Sequence, residues 1–75
     1  MPKGIRVERD IEVMIEMVIR ERRIALPQHR LVWYAKWFHI PCTKTNVQRV
    51  IRKMVKEGKL LEVRDGSRAY YKNRR

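Results

Sequence analysis

Residues 43–72, TKTNVQRVIRKMVKEGKLLEVRDGSRAYYK, carry the pattern on which the fold turns. Val47, Val50, Ile51 and Met54 recur at the i, i+3, i+4, i+7 spacing of one helix face, with Val55 at its margin. This predicts a helix that starts near Thr43, whose hydroxyl can accept from the free amides of the first turn, and stops at Gly58. Lys59 to Arg64 and Arg68 to Lys72 then read as two strands around Asp65-Gly66-Ser67. Two registers are open for this hairpin. A two-residue Asp65-Gly66 loop has the better turn chemistry but sets Val63 opposite Arg68. A three-residue loop pairs Val63 with Ala69 and Leu61 with Tyr71; it is preferred, because it gathers a more coherent inner face.

The other side of this helix is where chemistry is expected. Thr45, Arg49, Arg52 and Lys56 lie at its centre, with Gln48 and Lys53 on the flanks. A solvated helix face ordinarily mixes acids among its bases to form i, i+4 pairs, yet no Asp or Glu occurs between Lys44 and Lys56. An α-helix fits the DNA major groove, where arginine grips guanine O6 and N7 and glutamine grips adenine N6 and N7. Thr45, Gln48, Arg49 and Arg52 are therefore the candidate base readers, and Lys44, Lys53 and Lys56 the candidate phosphate contacts. Arg64, Arg68 and Lys72 would ring the hairpin, either as a second contact to backbone or minor groove or as charges that blunt a sheet edge against aggregation.

Upstream, residues 1–6 read as a flexible basic arm and a first helix is expected from Arg9 or Asp10 to Arg22. Val7, Ile11, Met14, Ile15 and Val18 share its core face. Val13 and Met17 form a second apolar stripe, which serves either burial or a dimer contact. Arg23 to Leu26 is a connector with room for a short strand, and Pro27 suits the first turn of a second helix running to about Phe38. Leu31, Tyr34, Ala35 and Phe38 should turn inward, and Pro41 ends the segment. Trp33 and Trp37 lie off that stripe. Packing within the domain or across a dimer is favoured for them over stacking on bases.

Charge is divided unevenly along the chain. Residues 1–23 hold six Lys/Arg against five Asp/Glu, whereas residues 24–75 hold thirteen against three, so nearly all of the net +11 lies in the second part. Such asymmetry points to a polyanionic partner, nucleic acid before an anionic membrane surface. No apolar run approaches the roughly 20 residues that span a bilayer, and no signal-peptide pattern opens the sequence, so cytoplasm or nucleoid is the expected location. The lone Cys42 excludes an intrachain disulfide and reads as a small hydrophobe, with an intermolecular bridge formally open. His29, His39 and Cys42 lack a fourth ligand at zinc spacing, and no nucleophile–base set or phosphate-cradling glycine loop is present. No metal, cofactor or catalysis is expected.

The 43–72 segment resembles the winged helix-turn-helix superfamily, in particular the recognition helix and wing of MarR- and ArsR-like regulators. Glu57-Gly58-Lys59-Leu60 matches the turn that leads into the wing, and Asp65 and Arg68 match the residues near its tip. The compact length is similar to that of winged-helix proteins of archaea and their viruses, without the extra helices that carry effector sites. The resemblance implies an α+β fold of three helices and a C-terminal β-hairpin wing, with a short strand between the first two helices. The domain would span residues 7–72 with a basic tail at 73–75. It further implies a sequence-specific regulator of transcription that binds double-stranded DNA as a homodimer, with no small-molecule effector. The dimer candidates are Val13, Met17, Trp33 and Trp37. A non-specific architectural DNA binder, a protein-contact module and an RNA binder are the competing readings.

Overall fold

The computed structural model describes residues 3–74, with side chains from residue 7 onward. Three helices and a three-stranded antiparallel sheet form an α+β fold in the order α1 (Lys3–Arg22), β1 (Leu26–Pro27), α2 (Gln28–Trp37), α3 (Lys44–Lys56), β2 (Leu60–Asp65) and β3 (Arg68–Asn73). The sheet order β1-β3-β2 places the last strand at the centre.

The helical stripes converge as their spacing requires. Ile11, Met14, Ile15, Val18 and Ile19 of α1, Leu31 and Ala35 of α2, and Val47, Val50, Ile51 and Met54 of α3 are buried together with Leu26, Leu60 and Tyr71 of the sheet. Val7 packs against this core one turn before Ile11, so the helix must already be formed there. α1 accordingly starts before the expected Arg9 or Asp10, at Lys3, and residues 3–6 are helix and not the expected flexible arm. Residues 1 and 2 lie outside the described residues. At the other end, Asn73 pairs with Leu60 and so belongs to β3, not to a tail.

Each helix stops on a residue in the left-handed region. Gly58 (φ 78°) closes α3, with its N–H donating to Val55 O and the Lys59 N–H to Met54 O, at 3.1 and 2.8 Å. His39 (φ 59°) closes α2 in the same way, through His39 N–H to Lys36 O and Ile40 N–H to Ala35 O. Arg23 (φ 56°) follows α1. Two of the three stops thus use a residue with a Cβ, a conformation that costs about 1–2 kcal/mol relative to glycine. The α2 stop also explains Phe38. As the C-cap it leaves the helical progression, stays 38% exposed, and Ile40 folds back onto the core in its place.

The hairpin adopts neither register foreseen. Asp65 pairs with Arg68 across a two-residue Gly66-Ser67 loop, and Val63 faces Tyr70. Gly66 has φ 66° and Ser67 does not share the positive sign, the pattern of a type II′ turn with glycine first. Because side chains alternate, this register turns Leu60, Tyr71 and Ala69 toward the helices and sends Leu61 and Val63 outward, 39% and 38% exposed. Tyr71 decides the outcome: paired with both Leu26 and Glu62, it is the sheet's central core residue.

Val13 and Met17 are not buried by the domain, being 57% and 45% exposed. The tryptophans are not packed inside it either. Trp33 and Trp37 stand 50% and 60% exposed on α2. Among the described residues, no helix is long and apolar enough to cross a membrane.

Candidate nucleic-acid interface

The first turn of α3 is fixed by a reciprocal cap. The Thr43 hydroxyl accepts from the Asn46 N–H at 3.3 Å, while Asn46 Oδ1 accepts from the Thr43 N–H at 2.9 Å. Sequence reading foresaw the threonine; its partner Asn46 went unnoticed because glutamate or glutamine is the usual third residue of the box. With this end pinned and the opposite face buried, the outward direction of every polar side chain on α3 is set.

Lys44, Thr45, Arg49, Arg52, Lys53 and Lys56 are all exposed, and Gln48 is half-buried. Among the described residues, none of Lys44, Arg49, Arg52 and Lys56 forms an ion pair. Lys53 differs: its Nζ lies 3.9 Å from Glu12 Oε1 of α1. That carboxylate is held more tightly by Lys59, whose Nζ donates to Glu12 Oε2 at 2.7 Å and approaches Glu57 at 3.7 Å. The Lys59 ammonium is correspondingly pushed up in pKa, first by the Glu12 hydrogen bond and then by its charge. Lys53 therefore sits on the α1 flank with part of its charge answered.

The hairpin meets α3 along two shallow depressions. Lys44 and Arg68 line one together with Gln28 and His29, which brings the first turns of α2 and α3 to the hairpin tip. Gln28 and His29 were not foreseen as site residues; the signal available was their position just after Pro27, at a helix start. Arg52 and Lys56 line the second depression with Val55, Glu62 and Tyr71. Burial pushes the Tyr71 phenol up in pKa, and the Glu62 carboxylate adds to it, while Arg64 and Arg52 pull the other way. Arg64 is tied in turn to Glu62, Nε to Oε2 at 3.2 Å, yet remains 71% exposed.

Lys72 does not join these residues. It pairs with Leu61 on the outward side of the sheet and borders a depression with Arg23, Ile24 and Arg74. Arg74 donates to Gly58 O at 3.4 Å, beside the α3 stop. Cys42 is half-buried just before the cap, and burial raises its pKa against the pull of Lys36. Among the described residues, no three His, Cys, Asp or Glu side chains gather as a metal set.

The result is a cationic helix face about 20 Å long, bordered along one side by a hairpin with arginines at and near its tip. Its charges are held outward, mostly without counter-ions among the described residues. Such a surface can neutralise a row of phosphates while offering forked donors between them. No protein-family model matches this chain, and no curated protein or solved structure matches it either.

Proposed function

We propose that the protein is a winged helix that binds double-stranded DNA in a sequence-selective manner and regulates transcription. Helix α3 enters the major groove, and the β2–β3 hairpin lies on the adjacent backbone or minor groove. One observation carries this reading: Lys44, Arg49, Arg52 and Lys56 are exposed along one helix that holds no acid and take no carboxylate partner among the described residues. Thr45, Gln48, Arg49 and Arg52 read base edges, while Lys44, Lys56 and Arg68 hold phosphates. Lys53 contributes less, because Glu12 already answers it.

Two copies act together. The exposed Val13 and Met17 on α1 supply the contact between them, so that two recognition helices can meet a palindrome about one helical turn, ~34 Å, apart. The test is selection of bound duplexes from a random pool at two salt concentrations. The expected result is a palindromic consensus, with an affinity that falls steeply with salt, by a log–log slope near −0.9 per phosphate contacted. Enrichment of no sequence at either salt would leave only non-specific binding, and absence of duplex binding would end the proposal.

A further inference from the structure

Helix α2 has an outward face that the core and the α3 surface leave unused. Leu31 and Ala35 point inward and are fully buried, and on the opposite side Trp33 and Trp37 stand one turn apart, 50% and 60% exposed. Each indole is propped by the next ring in the chain. Trp33 meets Tyr34 edge to face, with centroids 5.0 Å apart at 84°, and Trp37 meets Phe38 likewise, 5.0 Å apart at 86°. The Arg22 guanidinium lies 5.8 Å over the Tyr34 ring and braces the first pair. These are large aromatic surfaces in solvent, each already in contact with a neighbouring ring, which lessens the side-chain freedom to be lost when something covers them.

The surroundings select what that is. Arg30 and Lys36 are exposed along the same helix, which contains no acid, and Arg22 adds a further cation. A second copy of this chain would bring the same cations against themselves, so the face is unsuited to self-association. A peptide binds by burying side chains in a groove, and neither indole lines any of the depressions described above. A nucleobase needs only a flat ring to stack on, and its phosphate needs a nearby cation.

We propose that the α2 face is a stacking platform for single-stranded nucleic acid. Two successive unpaired bases stack on Trp33 and Trp37, and Arg30 and Lys36 take the phosphates between and beside them. The platform is distinct from the duplex site on α3, so the same molecule has a face for paired strands and another for strands that have come apart.

Trp33 and Trp37 are the only tryptophans in the chain, so tryptophan emission reports on this face alone. The experiment titrates the full chain with a short oligothymidylate and, separately, with a blunt duplex, each labelled for anisotropy so that binding is read independently of tryptophan emission. The expected result is saturable quenching by the single strand and binding of the duplex with little quenching. Trp33→Ala and Trp37→Ala should each weaken oligothymidylate binding about tenfold with duplex affinity unchanged, and Trp37→Phe should recover most of the loss. Arg49→Ala should do the converse. Circular dichroism melting checks that each variant folds. The platform is overturned if oligothymidylate binds without quenching, if the double Trp33→Ala/Trp37→Ala variant binds it as well as the parent, or if only anionic vesicles quench. Failure of the duplex arm alone would count against the α3 reading and leave this one standing.

Discussion

Lys59 at the foot of the hairpin and Glu12 in the middle of α1 are joined by a 2.7 Å hydrogen bond across 47 residues of chain. The bond ties α1 to the start of β2 and holds the Glu12 carboxylate near Lys53 as well.

Its loss should be visible in pH-dependent melting. Lys59 has a raised pKa in the fold, so its contribution is complete below the unfolded value of 10.5 and disappears as pH rises through the folded value. Glu12→Gln should therefore melt below the parent at neutral pH, with the gap closing in strongly alkaline buffer. A constant gap across that range would mean the pairing contributes nothing.

Tyr71 adds a second alkaline signature. Burial raises its pKa above the ordinary 10.0, so the unfolded chain ionises first and stability drains away as pH climbs past that value. A spectrophotometric titration should contain a late phenolate step, absent from Tyr71→Phe. Identical titration curves for the two proteins would contradict the burial argument.

The helix stops offer a matched pair of substitutions. Gly58→Ala puts a Cβ at positive φ and into the path of the Arg74 guanidinium, and should destabilise by about 1–2 kcal/mol in urea unfolding. His39→Gly relieves the same conformational strain at the end of α2 and should stabilise by up to about 1 kcal/mol, less the entropy that glycine adds to the unfolded chain.

Duplex binding should separate the α3 side chains by role. Arg49→Ala is expected to relax base preference at one position by about 1–3 kcal/mol. Lys56→Ala should weaken all sequences alike and reduce the salt slope by about 1. Lys53→Ala should do less than Lys56→Ala, because Glu12 partly neutralises it. Competition assays at several salt concentrations measure all three, and equal behaviour of Arg49→Ala and Lys56→Ala would remove base reading from α3.

Self-association is tested on α1. Met17→Lys places a charge in the Val13/Met17 patch and should convert a dimer to monomer in sedimentation equilibrium without changing the melting profile of the monomer. A parent chain that sediments as a monomer at micromolar concentration would refute the dimer directly.

How much of this was legible from sequence follows from the range of the forces involved. The α3 stripe, the Thr43 cap and the Gly58 stop depend on neighbours within four residues, and each stands where local chemistry puts it. The hairpin register depends on Tyr71, which pairs on one side with a β1 strand of two residues that local pattern hardly marks. Apolar content alone favours an inner face built on Val63 and Leu61, but the Gly66-Ser67 turn shifts both outward. His39 and Arg23 as left-handed stops break the glycine rule and cannot be read from residue type. Trp33 and Trp37 lack the cover within the domain that a large aromatic ring ordinarily has, because the inward face of α2 is already taken by Leu31 and Ala35. On the cationic face of α3, the outward direction of the polar side chains was legible but their grouping with other elements was not, since only the fold sets Lys72 apart from Arg68 and joins Gln28 and His29 to Lys44.

The turn at Gly66-Ser67 has a mechanical corollary. With pairing running unbroken to Asp65 and Arg68, the tip is a stiff finger that has no spare chain to pay out. Such a finger loses little disorder on contact, but it cannot reshape itself to a groove of the wrong width. In the proposed complex with DNA, accommodation would then come from the nucleic acid, and sequences that narrow or bend easily at that point would be preferred without a single base there being touched.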